Sequence, residues 1–118
     1  TKAFLDRVCT GAALELYQDN IAVNSLAPTG AIATPLSVSV GVPPEGTEPM
    51  ETFVEAALAL CSSDPRQLTS RIAHSLPLLH ELNRPVYSLD GGRLFDGWQP
   101  EHDDERKFLH GYLAALDH

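Results

Sequence analysis

Residues Ile21–Thr34 read I-A-V-N-S-L-A-P-T-G-A-I-A-T, and the fold turns on how this stretch is read. A short apolar run rich in β-branched residues is broken by Pro28-Thr29-Gly30, and a second small run then ends in Thr34-Pro35. An apolar run of this length bounded by turn formers predicts one buried strand at 21–26. A helix-like segment precedes it directly. Strand, tight loop and flanking helix are the parts of an α/β crossover. Ligands of open α/β sheets bind beyond the carboxyl ends of the strands, so chemistry is expected first at Pro28–Thr34.

The chain has 118 residues, enough for one small domain with a core and too few for two. With 43% hydrophobic and 20% charged residues, the composition is that of a globular chain and not a disordered one. The formal charge of -8 argues against a nucleic-acid or anionic-membrane surface, either of which needs a basic patch. There is no apolar run of membrane-spanning length and no signal-peptide pattern, so a cytoplasmic location is expected. Cys9 and Cys61 lie in separate apolar segments without metal-ligand spacing, and read as buried reduced thiols. Helical periodicity is already running by Phe4, with no cap before it, so the sequence reads as starting inside a longer chain.

Outward from the central stretch, residues 3–17 form a helical pattern. Phe4, Val8, Ala12 and Leu16 share an i, i+4 row beside Leu5, Cys9 and Ala13, and Asp19-Asn20 ends it. Within the strand, Asn24 is the polar exception, read as a buried amide bracing a neighbouring turn in preference to a ligand contact. Residues 28–47 look like loop, with Leu36, Val38, Val40 and Val42 alternating as a short strand or an apolar flap before Pro43, Pro44, Gly46 and Pro49. A second helix is predicted over 49–61, with Glu48 and Glu51 at its positive end and Phe53, Ala56, Ala57, Leu60 and Cys61 as its apolar stripe. Asp64-Pro65-Arg66-Gln67 has the form of a capping box and predicts a short helix. Arg71–Ser75 and Val86–Leu89 are strand candidates, with a helical turn at Pro77–Leu82 between them, and periodicity leaves open whether one or both strands form. Beyond Trp98, acidic residues from Glu101 to Glu105 open a last helix with Phe108, Leu109, Tyr112, Leu113 and Leu116 on one face.

Five histidines are present, but no pair shows a ligand motif, and no metal site is expected. Gly91, Gly92 and Gly97 do not make a phosphate-binding G-x-G-x-x-G, and no Ser-His-Asp order stands out.

The run from Thr1 to Pro35 resembles the second half of a short-chain dehydrogenase/reductase. The matching features are T-K opening an Ala- and Leu-rich helix, Glu15 near its end, and then I-A-V-N-S-L-A-P-x-G-x-I-x-T-P. Weaker similarity continues through 49–61, T-S-R-I-A-H-S and V-Y-S-L-D-G. The resemblance implies the C-terminal part of a Rossmann-like doubly wound parallel sheet with flanking helices, an α/β unit incomplete on its own. It assigns residues 1–98 to the NAD(P)-binding domain and 99–118 to a helical extension. By the same resemblance Lys2 is the lysine of a Tyr-x-x-x-Lys motif, binding the nicotinamide ribose and lowering the pKa of the catalytic tyrosine. A nearby ammonium favours the phenolate of a group whose ordinary pKa is about 10. Pro28, Gly30, Ile32 and Thr34 become the loop that holds the nicotinamide of NAD or NADP, with main-chain groups of Ile32 reading the carboxamide and the Thr34 hydroxyl reaching a cofactor oxygen. Residues 36–48 become the substrate loop.

Thr29 departs from the family's usual glycine. A β-branched residue disfavours positive φ, so either the turn differs or this position does not require that conformation. The motif tyrosine, the catalytic serine and the dinucleotide loop fall upstream of Thr1. The implied partners are a small alcohol or carbonyl substrate, and either further copies of the chain or its upstream half, which would cover open strand edges and bare helix faces. Two other expectations remain open. One is a non-catalytic α/β self-association domain using the 3–17 and 101–117 helices. The other is a partial nucleotide-binding module whose affinity depends on Gly30.

Overall fold

The computed structural model describes residues 2–32, 34–41 and 47–96. Its elements run in the order α1 (Lys2–Leu16), a 3-10 turn (Tyr17–Asp19), β1 (Ser25–Ala27), β2 (Ala31–Ile32), α2 (Pro35–Ser39), β3 (Thr47–Glu48), α3 (Met50–Ser62), β4 (Ile72–His74) and α4 (Ser75–Glu81). The strands form two small parallel pairs, β1 with β4 and β2 with β3. This is a small α/β unit. The expected residues Val42, Pro43, Pro44 and Gly46, Trp98, the 101–117 helix and the 99–118 extension lie outside the described residues.

The first helix ends as its sequence predicts. Asn20 takes the left-handed conformation at φ 60° and returns its N–H to the Tyr17 carbonyl. The strand is shorter than the apolar run that predicts it. β1 begins at Ser25 and pairs Ser25 with Ile72, Leu26 with Ala73 and Ala27 with His74. Upstream of Ser25 the two segments still run side by side, where one main-chain bond, from Ser70 N to Val23 O at 3.0 Å, is joined by side-chain bonds. The Thr69 hydroxyl accepts the Val23 amide, and the Asn24 carboxamide donates to Leu68 O at 3.1 Å and accepts from Arg71 N at 3.0 Å. Ser70, at φ 59°, turns the partner segment away from strand geometry at that point. Asn24 is therefore the brace of a neighbouring turn that its sequence context suggests.

α3 joins the two strands of the β1–β4 pair and packs on α4. Its fully or nearly buried positions are Thr52, Glu55, Ala56 and Ala59, an i, i+3, i+4, i+7 set. The sequence pattern sets the buried stripe at Phe53, Ala56, Ala57, Leu60 and Cys61; Ala56 is buried as expected, and the rest of the stripe is rotated from the real one. Phe53, Ala57 and Leu60 are half-buried, and Cys61 is exposed. The polar residues at 52 and 55 can go inside because each has a partner. Thr52 donates to Glu48, and Glu55 receives Arg84 Nε at 2.8 Å. Neither cysteine is buried as expected: Cys9 is intermediate, and both thiols are free.

The core is Ala56, Ala73, Leu76, Leu78, Leu79 and Val86, with Leu26, Leu60 and Phe95 against it. Three further expectations are corrected. Asp64–Gln67 makes turns and no helix: the Asp64 carboxylate accepts Arg66 N, and its carbonyl accepts both Gln67 N and Leu68 N. The 28–47 region is not simply loop, since it carries β2, α2 and β3. Val86–Leu89 adds no strand to the parallel pair but folds back on itself. Phe95 N donates to Val86 O, Ser88 N donates to Arg93 O, and Tyr87 bridges antiparallel to Leu94, with Gly91 at φ 74° in the turn. Among the described residues no helix is long and apolar enough to cross a membrane.

Leu79 has no exposed surface. Leu79→Ala should lower unfolding free energy by about 2–5 kcal/mol in urea titration, through lost burial and a residual cavity. In the 88–92 turn, the Ser88 hydroxyl and the Gly92 amide hold the Asp90 carboxyl below the usual aspartate range. A depressed folded-state value makes the turn's contribution complete above the ordinary aspartate range and lost as pH falls through the folded value. Ser88→Ala should return the Asp90 titration toward the ordinary value in a carboxyl-carbon NMR experiment.

Candidate functional site

A loop that leaves the carboxyl end of a parallel strand carries outward-facing main-chain groups, and Pro28–Thr34 is such a loop. Pro28 follows Ala27, the last residue of β1, and the loop passes through β2 before reaching Thr34 and the start of α2. Pro28, Ile32 and Thr34 are half-buried and Gly30 is buried. The structure thus brings four of the five expected site residues onto one loop.

Lys2, the fifth, stands apart on the first turn of α1. It is exposed and makes no hydrogen bond or ion pair among the described residues. One turn further along, Asp6 accepts the Ser25 hydroxyl at 2.6 Å, which ties the N-terminal half of α1 to the start of β1.

Thr29 explains its own presence. Asn20, Ser70 and Asn83 are the non-glycine positions with positive φ among the described residues, so Thr29 is free of that strain. Its side chain is used: the hydroxyl accepts Leu76 N at 3.1 Å, from 47 residues away. An amide in the first turn of α4 has no partner within its own helix, and Thr29 supplies one. A glycine here could not.

The loop is anchored beneath by a carboxylate. Glu48 is fully buried. Its Oε1 accepts the Thr29 amide at 2.7 Å, its Oε2 accepts the Thr52 hydroxyl at 2.6 Å, and the Ser75 hydroxyl lies 2.7 Å from both oxygens. The Thr29 amide is shared with Ser75 Oγ at 3.2 Å. The ion pairs among the described residues, Arg71–Glu81 and Arg84–Glu55, do not include it. Its charge is met by hydroxyl and amide dipoles and by the positive end of α3, which begins two residues later at Met50. The sequence alone reads Glu48 as a charge suited to the positive end of a helix. The i, i+4 spacing to Thr52 hints at more, but Thr29 and Ser75 are 19 and 27 residues away in sequence.

Main-chain pairing fixes the far end of the loop. Ala31 pairs with Thr47 and Ile32 with Glu48. The β2–β3 ladder therefore competes with a carboxamide for the main-chain groups of this two-residue strand. The remaining amides and carbonyls of the loop, with the half-buried Thr34 side chain, are the donor and acceptor types a nicotinamide and its ribose-phosphate require. Buried Gly30 carries no side chain to obstruct close approach. The residues present fit the group.

A separate groove of about 530 Å³ lies between the stretch before β1 and α3, lined by Ala22, Asn24, Leu26, Ala57, Leu60 and Cys61. It reaches the amino end of β1, away from the loop. Comparison with family models, with curated proteins and with solved structures finds no match for this chain.

Asn24→Leu would leave Leu68 O and Arg71 N without their carboxamide partner. It should cost about 1–3 kcal/mol in denaturant unfolding, the range for stranding buried polar groups.

Proposed function

We propose that this chain is the C-terminal part of a short-chain dehydrogenase/reductase, an NAD(P)-dependent oxidoreductase that interconverts an alcohol and a carbonyl. The sequence resemblance over Thr1–Pro35 supports it. The observation that carries it is the Pro28–Thr34 loop leaving the carboxyl end of a strand in parallel pairing, with Gly30 buried at its bend. In this reading the Rossmann-like sheet is completed by upstream strands, and β1 and β4 are its last members in this chain.

The loop grips the nicotinamide end of NAD or NADP. Main-chain groups of the loop, those of Ile32 among them where the β2–β3 ladder leaves them free, would hold the carboxamide, and the Thr34 hydroxyl would reach a cofactor oxygen. A nicotinamide held there would supply the hydride donor or acceptor for the alcohol–carbonyl interconversion. Lys2 holds the ribose and, by its charge, stabilises the phenolate of a tyrosine four residues upstream. That tyrosine passes a proton to the carbonyl oxygen as the carbon receives hydride, and takes it back in the reverse direction. Lys2 alone cannot perform the proton transfer, so the 118-residue chain by itself turns over no substrate.

α1 carries the second support. Phe4, Leu5, Val8 and Leu14 are 71%, 57%, 49% and 80% exposed. A helix with one buried residue, Ala13, and these large apolar side chains uncovered needs a partner, either the upstream half or a second copy. The same row favours the alternative reading, a self-association domain without catalysis. In that case the chain is a stable oligomer in light scattering and has no nucleotide affinity.

The test begins with the coding sequence upstream of Thr1, where a tyrosine four residues before Lys2 is expected. The longer product should oxidise NADH or NADPH against a panel of aldehydes and ketones. Lys2→Met should lower kcat/KM by about 10²-fold or more, the scale of lost acid–base assistance. An upstream sequence without that tyrosine overturns the reading.

A further inference from the structure

Glu48 touches the loop at both ends. Its side chain holds the Thr29 amide at 2.7 Å, and its main chain pairs with Ile32. Ala31 is paired with Thr47, so Gly30 alone is spanned between the Thr29 anchor and the β2–β3 ladder. The same carboxylate takes the Thr52 hydroxyl from the first turn of α3 and the Ser75 hydroxyl from the first turn of α4. Thr29 in turn caps α4 through Leu76 N.

Hydrogen counting shows how tightly the cluster is determined. A carboxylate only accepts, and each hydroxyl has one hydrogen to give. The Ser75 hydrogen therefore goes to Glu48, although Ser75 Oγ also lies 3.4 Å from Thr29 Oγ1. Thr52 has a competing acceptor, the Pro49 carbonyl at 2.8 Å. The Thr29 amide has no such freedom, because its direction is fixed by the backbone. Orienting that amide orients the loop.

We infer that Glu48 is the positioning residue of the nicotinamide loop, clamping Thr29 by its carboxylate while the β2–β3 pairing holds Ala31 and Ile32, so that the main-chain groups of Gly30 between them are presented in one fixed conformation. The inference rests on the reading of Pro28–Thr34 as a cofactor loop. It adds a residue from the substrate-loop side of the fold that does not itself touch the cofactor. Glu48 acts by removing alternative loop conformations before binding, so its loss raises the cofactor requirement more than it slows the chemistry.

Two variants and one measurement on the unaltered protein test it. Glu48→Gln keeps the volume and an oxygen that can accept the Thr29 amide, while the neighbouring hydroxyls can rotate to accept from the new NH₂. Glu48→Met keeps the approximate volume and removes the acceptor. In the longer enzyme carrying the upstream tyrosine, Glu48→Met should raise KM for NADH or NADPH about tenfold, the factor for one lost charge-assisted hydrogen bond, with kcat changed much less. Glu48→Gln should restore KM to within about threefold of the unaltered enzyme, on the same hydrogen-bond scale. A folded Glu48→Met enzyme with unchanged cofactor KM overturns the inference and leaves the oxidoreductase reading standing. An enzyme with no NAD(P)H turnover sinks the reading and the inference together.

Should Glu48→Met not fold, amide hydrogen exchange on the unaltered chain decides. The Thr29 amide should be protected as well as the ladder amides of β1. If it exchanges as fast as an exposed loop amide, Glu48 does not hold it and the inference fails.

Discussion

A carboxylate with no accessible surface must recover by local hydrogen bonds what it loses in hydration, and Glu48 recovers it from three segments at once. The Thr29 amide, the Thr52 hydroxyl and the Ser75 hydroxyl converge on its two oxygens. Each donor belongs to a different part of the fold: the loop after β1, the start of α3 and the start of α4. Because a buried charge without its donors costs several kcal/mol, these parts cannot shift independently. The loop, the two helix starts and the short β2–β3 pair are one mechanical unit, and the candidate site is its outer surface.

Around this unit the apolar core is modest and one-sided. Ala56, Leu76, Leu78, Leu79 and Val86 fill the space between α3, α4 and the returning 86–95 hairpin, with Ala73 on β4 beneath them. Small residues at 56 and 73 place α3 and β4 in the same core cluster. The opposite side is thin. α1 contributes Ala13 to the interior and leaves its large apolar side chains outside. The asymmetry lies in the side chains: the core cluster draws on α3, α4, β4 and the 86–95 hairpin, and α1 adds none of its large apolar residues to it.

The charged residues fall into two classes. Arg71 and Glu81 form a two-pronged surface pair, with side chains 38% and 52% exposed, and the guanidinium holds Glu81 below the ordinary carboxylate range. At that exposure solvent screens most of the attraction, so the pair tethers the 71–81 segment without contributing much stability. Arg84 and Glu55 are more enclosed, and their contact lets a charged residue occupy the inner face of α3. The inner face of that helix is thus set by which polar residues find partners, and not by hydrophobicity alone.

Local features of the sequence specified the local structure. The helix from Lys2 to Leu16 and its left-handed stop at Asn20, the strand after it, the Pro-Thr-Gly break, the helix from Met50 and the turn at Asp90-Gly91-Gly92 all arise from periodicity, capping and turn chemistry, which act over a few residues. The loop at Pro28–Thr34 was legible as a place of interest for the same reason, and so was the bracing role of Asn24. Contacts between distant segments decided the rest. The strand starts at Ser25 because Asn24 and Thr69 take over much of the pairing upstream, the buried face of α3 turns toward Thr52 and Glu55 because Glu48 and Arg84 receive them, and Val86–Leu89 closes on Leu94 and Phe95 instead of joining the sheet. Thr29 and Glu48 show the division most clearly. In sequence one reads as an awkward substitution and the other as a charge at the start of a helix. Only the fold brings the amide of the first to the carboxylate of the second, because hydrogen bonding at 2.7 Å depends on closeness in space, which nothing local in a sequence encodes.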